Sequence, residues 1–398
     1  MKDAGEFRDV KACQPGVDGA ANRRWMEGQP AGAMDDETCM RRALELARMA
    51  SGRTSPNPMV GAVVVRDGRV VGEGYHRRAG TPHAEVLALQ QAGPLARGAT
   101  LFVNLEPCAH QGRTPPCTRA IIEAGVRRVV AAMVDPNPLV GGKGLEELRQ
   151  AGIQVDVGVL EKESMRLNEA FAKFITTRRP FVSMKCALSL DGKAATRSGE
   201  SQWISGDESR ARGHELRDRY DAIMVGVGTV IRDDPLLTTR LRVGEGRDPL
   251  RIIVDSRCRT PLEARVIKHR SRVPTVIATT EGSPRERREA LRQSGAEVWV
   301  LRSRGERVDL QHLLEEMGKR EIISVLLEGG PTLNAGALEA GIVDKLYFFI
   351  APIIIGGREA PGPVGGEGAA RLSAAARVTE VQVERLGEDL LVSGYLEG

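Results

Sequence analysis

Residues 81–117 read TPHAEVLALQQAGPLARGATLFVNLEPCAHQGRTPPC, and the hydrophobic period changes within them. HAEVLALQQAG (83–93) predicts a helix closed by Gly93, and TLFVNLEPC (100–108) a strand ending in a Pro-Cys turn. The alternation extends both ways. Upstream, Asp35, Asp36 and Glu37 suit a helix N-terminus, with Met40, Leu44 and Ala47 as its apolar stripe. VGAVVVRDGRVVGEGY (60–75) predicts a hairpin turning at Asp67-Gly68. Downstream, CTRAIIEAGV (117–126) is a helix, VRRVVAAMV (126–134) a strand, GLEELRQAG (144–152) a helix and IQVDVGV (153–159) a strand. Strands alternating with helices of this length indicate a largely parallel sheet covered by helices, an α/β fold.

A helical pattern, ESMRLNEAFAKFITTRRP (163–180), leads into a second unit that opens with FVSMKCALSLDG (181–192). Strands are predicted at DAIMVGVGTV (221–230), RIIVDS (251–256), TVIATT (275–280), EVWVL (297–301), IISVLLEGG (322–330) and KLYFFIAPIIIG (345–356). Ser283-Pro284-Arg285-Glu286 reads as a helix start, with a capping serine, proline in the first turn and a capping-box glutamate. VERLGEDLLVSGYLE (383–397) reads as an antiparallel pair. The expected organisation is a poorly ordered extension (1–33), a first domain (34–165), a linker (166–179) and a second domain (180–398).

Composition narrows the function. The chain has 398 residues, long enough for two or three domains with sizeable cores. No apolar run reaches the roughly 18 residues that span a bilayer, and residues 1–34 lack a signal-peptide core, so a cytoplasmic protein without a membrane partner is expected. The formal net charge is only +4, and aromatic residues make up 4%. Neither a basic footprint nor a stacking platform for nucleic acid is present, which favours a small-molecule substrate. The six cysteines are scattered, unlike a disulfide framework.

Two of them lie near a histidine. His83, Cys108 and Cys117 supply one imidazole and two thiolates, a zinc set whose fourth position is open, as in catalytic sites. Zinc lowers the pKa of a bound water toward 7, giving hydroxide at neutral pH. Glu85, two residues after His83, suits the proton carrier. The pattern matches the His-x-Glu and Pro-Cys-x-x-Cys signature of zinc nucleobase deaminases, except that nine positions separate the cysteines. Two buried, unliganded cysteines, or a structural zinc closed by His110, are the alternatives.

These residues carry a more specific likeness. Ser55-Pro-Asn-Pro-Met-Val-Gly61, Gly72-Glu-Gly-Tyr-His76, Pro82-His-Ala-Glu-Val86, Leu105-Glu-Pro-Cys-Ala-His-Gln-Gly-Arg-Thr-Pro-Pro-Cys117 and Asp135-Pro-Asn-Pro138 resemble the bifunctional riboflavin-biosynthesis deaminase/reductase family. The long spacing between the cysteines is what this family shows. The resemblance implies a cytidine-deaminase-like zinc domain followed by a dihydrofolate-reductase-like domain. It implies zinc-hydroxide deamination of a diaminopyrimidinone ribosylamine phosphate, with Glu85 protonating the ring nitrogen and the departing ammonia. It implies that Asn57 and His76 orient the base, while His110, Arg113, Asp135 and Asn137 hold the sugar phosphate. Asn57, between two prolines, also reads as a plain turn former.

The second half lacks a Gly-x-Gly-x-x-Gly fingerprint, because Gly226-Val-Gly228-Thr-Val-Ile fails at its last glycine. Glu328-Gly-Gly-Pro-Thr-Leu-Asn334 instead ends a strand and opens a helix, a geometry that cradles a pyrophosphate or simply makes a turn. Lys185-Cys-Ala-Leu-Ser-Leu-Asp-Gly-Lys193, Ser201-Gln-Trp203-Ile-Ser and Gly226 to Arg240 complete the resemblance to the family's reductase domain.

By that resemblance NADPH is the cofactor, reducing a ribosyl to a ribityl group. Ala187, Trp203, Thr229, Asp233, Ser256, Gly330, Pro331, Thr332, Leu333, Asn334, Ala335 and Gly336 are implied to line it. Ser201, Arg217, Leu237, Arg240 and Glu328 are implied to bind substrate, and Lys185 and Asp233 to handle protons. Lys185 reads equally as a surface lysine. Arg257 and Arg259 would suit a 2′-phosphate or be solvated. A homo-oligomer is expected. A nucleoside or tRNA deaminase with an unrelated accessory domain shares the zinc set, but leaves the Gly-Gly-Pro-Thr turn and Asp233-Asp234-Pro235 without a role.

Overall fold

The computed structural model describes residues 34–110 and 115–397. The extension expected at 1–33, and Arg113, lie outside them. Helix α1 (Asp36–Arg48) starts where three acidic residues meet the positive end of the helix dipole. The Asp35 carboxylate accepts from the Thr38 N–H at 2.8 Å. Strands β1 (Gly61–Arg66) and β2 (Arg69–Tyr75) form the expected hairpin, with Asp67 (φ 50) and Gly68 (φ 74) both left-handed. Then follow α2 (Ala84–Ala92), β3 (Thr100–Val103), α3 (Cys117–Ala124), β4 (Arg128–Ala131), α4 (Lys143–Gln150) and β5 (Gln154–Val157).

The first sheet has the order β2-β1-β3-β4-β5, with β3, β4 and β5 parallel. Leu101, Ile121, Val129 and Leu148 are fully buried between this sheet and α2, α3 and α4. Burial of each such side chain stabilises the fold by roughly 1.5–3 kcal/mol.

The helical pattern before residue 180 is broken into α5 (Glu161–Leu167) and α6 (Glu169–Thr177). Asn168 stands between them with its backbone off the helical region (φ −107°, ψ 21°), and its side-chain amide grips the Met59 backbone. Its Oδ1 accepts from the Met59 N–H at 2.8 Å, and its Nδ2 donates to the Met59 carbonyl at 3.0 Å. Phe171 and Phe174 of α6 are buried with Leu105, Met133 and Ile323, joining the first sheet to the second. The segment expected as a linker is therefore a packed element.

The second unit contains β6 (Phe181–Ser189), α7 (Asp207–Arg219), β7 (Ala222–Gly226), α8 (Val227–Asp233), β8 (Leu250–Val254), α9 (Arg265–Lys268), β9 (Thr275–Thr280), α10 (Arg285–Gln293) and β10 (Glu297–Leu301). A small hairpin, β11 (Ser303–Arg304) and β12 (Arg307–Val308), precedes α11 (Leu310–Lys319), β13 (Ser324–Leu327), α12 (Pro331–Glu339), β14 (Lys345–Ala351), β15 (Val378–Leu386) and β16 (Asp389–Leu396). The nine-stranded sheet runs β10-β9-β8-β7-β13-β6-β14-β16-β15. All pairs from β10 to β14 are parallel, and the last two strands form the expected antiparallel pair.

Two expectations fail locally. The strand at 221–230 ends at Gly226, and Val227 begins α8, where Val227 and Val230 share one buried face. β-branched residues suggested strand there, but their i, i+3 burial satisfies a helix. Ser283 does not cap α10; its hydroxyl donates back to the Thr280 carbonyl at 2.7 Å.

A buried carboxylate organises the loops at the carboxyl ends of β3 and β4. Glu106 accepts from the N–H groups of Asp135 (3.0 Å), Gly142 (2.8 Å), Gly144 (2.8 Å) and Leu145 (3.4 Å). Helix α4 approaches so closely that a Cβ on Gly144 would stand 2.0 Å from the Pro107 carbonyl oxygen. Glu106→Ala strands several buried donors and is expected to lower the unfolding free energy by about 3 kcal/mol. Glu106→Gln, which keeps an acceptor oxygen, should lose less. Denaturant titration of both variants checks the order; an alanine variant as stable as the parent would refute it.

Candidate active sites

His83 immediately precedes α2, Cys108 lies in the turn after β3, and Cys117 is the first residue of α3. The His83 Nδ1 stands 3.1 Å from the Cys117 Sγ and 3.5 Å from the Cys108 Sγ. All three donor atoms fall within 4.8 Å of one another, and no other such His/Cys/Asp/Glu group occurs among the described residues. His110 is exposed and stands outside the group, so a structural site closed by it gains no support. Cys39, Cys186 and Cys258 are buried and free, while Cys13 lies outside the described residues.

Glu85, in the first turn of α2, is 3% exposed, and its Oε2 has no hydrogen-bond partner. Burial pushes its carboxyl above the usual range, against the opposing pull of His83. A buried acceptor without a donor is costly, by about 1–3 kcal/mol, and a metal-activated water beside it would satisfy it. One imidazole, two thiolates and an adjacent unpaired carboxylate oxygen fit zinc with an open position.

Asn57 and His76 meet: the Asn57 Nδ2 lies 3.1 Å from the His76 Nε2, and the His76 ring packs edge-on against His83 at 5.3 Å. Burial lowers the His76 pKa, which favours a neutral imidazole. Asp135 and Asn137 sit in the loop that Glu106 holds. Burial raises the Asp135 carboxyl, with the Asn137 N–H and His110 pulling it down. The Asn137 Oδ1 accepts from the Leu139 N–H at 3.1 Å, so part of that side chain maintains its own turn.

In the second unit, Arg217 forks onto Glu328 with two contacts of 2.8 Å. Lys185 Nζ lies 3.8 Å from Glu328 Oε2, and among the described residues Glu328, rather than Asp233, is its ion-pair partner. Burial alone would raise the Glu328 carboxyl, but Arg217 and Lys185 carry it down to about 2. Arg240 belongs to the same cluster, its backbone N–H reaching the His214 Nδ1 at 3.3 Å. Burial first, then Arg217 and Arg240, lower the His214 pKa to about 4.

Leu237 is 3% exposed, its side chain packed with Val225 and Val230, and its φ is 54°. Trp203 is exposed, with the Arg210 guanidinium 5.0 Å from its ring. Ser201 is half-buried on the same segment, and Ala187 lies on β6.

The carboxyl ends of β7, β13 and β8 are neighbours. Gly226 leads directly into α8, which carries Thr229 and ends at Asp233, while Gly330 precedes α12. The α12 N-terminus has no side-chain cap, which leaves first-turn N–H groups for an anion such as a pyrophosphate. A Cβ on Gly329 would meet the Asn334 Oδ1 at 2.5 Å, so the bare backbone there is sterically required. Asn334 itself is buried beneath the turn, its Nδ2 donating to the Pro363 carbonyl at 2.8 Å. Pro331, Thr332, Leu333, Ala335 and Gly336 follow along α12. Ser256 follows β8, but its hydroxyl accepts from the Val308 N–H at 3.1 Å. Arg257 is exposed and pairs with Glu306 at 2.6 Å. These features fit a dinucleotide with its phosphates at α12.

Sequence reading missed Glu106, His214 and Asp221, whose carboxylate accepts from the Ser55 hydroxyl at 2.9 Å. Glu106 was visible as the acid two positions before Cys108. His214 lies three residues before Arg217 on a highly charged helix with little apolar periodicity. Nothing local marks Asp221.

Comparison with known proteins agrees with this geometry. Residues 33–133 match the cytidine and deoxycytidylate deaminase zinc-binding region, and residues 180–392 match the RibD C-terminal domain. The chain is 46% identical over 359 residues to the riboflavin biosynthesis protein RibD of Actinobacillus pleuropneumoniae, covering 90% of this chain and 95% of that one. It is 42% identical over 368 residues to RibD of Escherichia coli, covering 90% and 98%. Among solved structures, Acinetobacter baumannii RibD superposes with a TM-score of 0.82 at 38% identity, covering 91% and 99%. A Thermotoga maritima diaminohydroxyphosphoribosylaminopyrimidine deaminase/5-amino-6-(5-phosphoribosylamino)uracil reductase gives 0.79 at 39%, with the same coverage. Among the described residues, no helix is long and apolar enough to cross a membrane. With its zinc-binding deaminase half and its reductase half joined in one chain, the protein belongs to the bifunctional RibD family of riboflavin-biosynthesis enzymes.

Proposed function

We propose that residues 34–165 and 180–398 act in succession on one phosphorylated pyrimidine. The first deaminates 2,5-diamino-6-(5-phosphoribosylamino)pyrimidin-4-one, and the second reduces the ribosyl group of the product to ribityl. The observation that carries the reading is the convergence of His83, Cys108 and Cys117 within 4.8 Å, beside the unpaired buried oxygen of Glu85.

Zinc held by these three residues supplies Lewis acidity and an acidified water. Glu85 would pass one proton from the attacking water to the ring nitrogen, and then a second, from the hydroxyl formed on the ring carbon, to the amino group that leaves as ammonia. Asn57 and His76 orient the base. Asp135, Asn137, His110 and Arg113 hold the ribose phosphate, the guanidinium being suited to fork onto phosphate oxygens.

In the second site, Gly330 and the first turn of α12 would hold the phosphates of NADPH, which would supply a hydride. Thr229, Asp233, Ser256, Ala187, Trp203 and Gly330 to Gly336 line that cofactor. Ser201, Leu237 and Arg240 bind the substrate with Arg217 and Glu328. Glu328, kept ionised by Arg217, orients the sugar hydroxyls. Lys185 protonates the ring oxygen released as the ribose opens. The enzyme is read as a homo-oligomer without a membrane partner; the free described cysteines support a cytoplasmic location, and the small net charge supports a small-molecule rather than a nucleic-acid partner.

Supplying the pyrimidine ribosylamine phosphate with NADPH and identifying the products by mass tests the reading; unchanged substrate with zinc bound refutes it. Glu85→Gln should slow ammonia release by about 10²–10⁴-fold. It should retain zinc and leave NADPH oxidation on the deaminated intermediate intact. Loss of both activities from a folded, zinc-loaded variant would contradict two separate sites.

Glu328 adds a pH signature. Its folded pKa lies below its ordinary value of 4.5, at about 2. The pair's stabilisation is therefore complete above about pH 4.5 and disappears as the pH falls toward 2. Glu328→Gln, which leaves Arg217 as an unpaired buried charge, should cost about 3–5 kcal/mol at neutral pH. It should also flatten that acid limb. Denaturant unfolding across pH checks both.

A further inference from the structure

The loop that carries Asn57 is held from two sides. On one side, the Met59 backbone is clamped by Asn168 of the segment between the halves, and the Asn104 Nδ2 donates to the Met59 carbonyl at 3.0 Å. The opposite grip comes from the reductase half. The Ser55 hydroxyl donates to the Asp221 Oδ2 at 2.9 Å, and Arg53 reaches both Asp218 carboxylate oxygens at 3.0 Å. Ser55 lies inside the turn that the Asn57 N–H closes onto the Thr54 carbonyl at 2.9 Å. A shift of Ser55 is therefore transmitted to Asn57, and through the 3.1 Å contact to His76 beside the zinc ligand His83.

Asp221 is well placed to act as a fixed anchor. Its Oδ2 also accepts from the Ile323 N–H (3.1 Å) and the Ser324 hydroxyl (3.1 Å), and its Oδ1 from Arg247 (3.3 Å). Its backbone N–H donates to the Ser324 Oγ at 2.9 Å. The carboxylate thus joins the starts of β7 and β13, central strands of the large sheet. The reductase cradle lies at the opposite ends of those strands, five residues of β7 away, or roughly 17 Å.

We propose that Asp221 of the reductase half is a positioning residue for deamination: through Ser55 it fixes the loop that presents Asn57 to the pyrimidine. The deaminase is on this account completed by its neighbour, whereas reduction does not depend on the contact. The inference rests on Asn57 touching the base.

The test uses the full-length, zinc-loaded chain and compares Ser55→Ala, Ser55→Thr and Asn57→Ala. Ser55→Ala removes one charge-assisted hydrogen bond and should raise the deaminase KM roughly three- to tenfold, with kcat less affected. Zinc content and the kinetics of NADPH-dependent reduction of the deaminated intermediate should stay at parental values. Ser55→Thr, which restores the hydroxyl, should recover the parental KM. An unchanged deaminase KM in Ser55→Ala, a loss of zinc, or an equal loss of reduction would overturn the proposal. Asn57→Ala separates the layers. If it impairs deamination while Ser55→Ala does not, the anchor is refuted and the role of Asn57 stands. If Asn57→Ala is itself harmless, the role of Asn57 fails.

Discussion

Four backbone N–H groups converge on the carboxylate of Glu106, and the deaminase site depends on that convergence. Parallel β3 and β4 deliver their following loops to one end of the sheet, but loops alone do not hold a fixed shape. Glu106 ties the loop after β4 and the first turn of α4 against Pro107, one residue before Cys108. Two other ligands come from helix starts, His83 before α2 and Cys117 at the head of α3. The three candidate metal ligands are thus held by backbone geometry.

The reductase half solves a related problem with charge. Arg217 is partly buried and meets Glu328 in a two-pronged contact, with Lys185, His214 and Arg240 around it. A buried ion pair is weak evidence for stability. Its more direct consequence is a carboxylate that stays ionised far below its ordinary range, in a cluster otherwise rich in positive charge. Such a site suits an anionic sugar phosphate. The large sheet has two distinct ends: glycine turns at the carboxyl ends of β7 and β13 form the candidate cofactor cradle, and Asp221 at their starts contacts Ser55 of the first domain.

Much of this was legible because it is local. The β1–β2 hairpin follows from Asp67-Gly68, and the Asp35 cap from three acidic residues before an apolar stripe. The metal triad follows from residue types whose chemistry permits few other uses. Failures cluster where side chains look outward from their own segment. Val227 and Val230 suggested strand, but their burial comes from packing under the neighbouring strands. Ser283 had the right spacing for a cap and found a better acceptor in the Thr280 carbonyl. The helix holding His214 and Arg217 carries too little apolar periodicity to announce itself.

The amino-acid sequence by itself determined the α/β class, the alternating elements of the first domain, the candidate zinc set with Glu85 two residues from His83, and the family. Those are properties of periodicity and residue chemistry within short windows. Only the tertiary structure decided that Lys185 pairs with Glu328, that Glu106 organises the loops, and that Asp221 reaches Ser55 across 166 residues of chain. Such contacts are set by where strands and helices pack. A carboxylate's partner is the donor that packing brings within about 3 Å, and no local pattern encodes that distance.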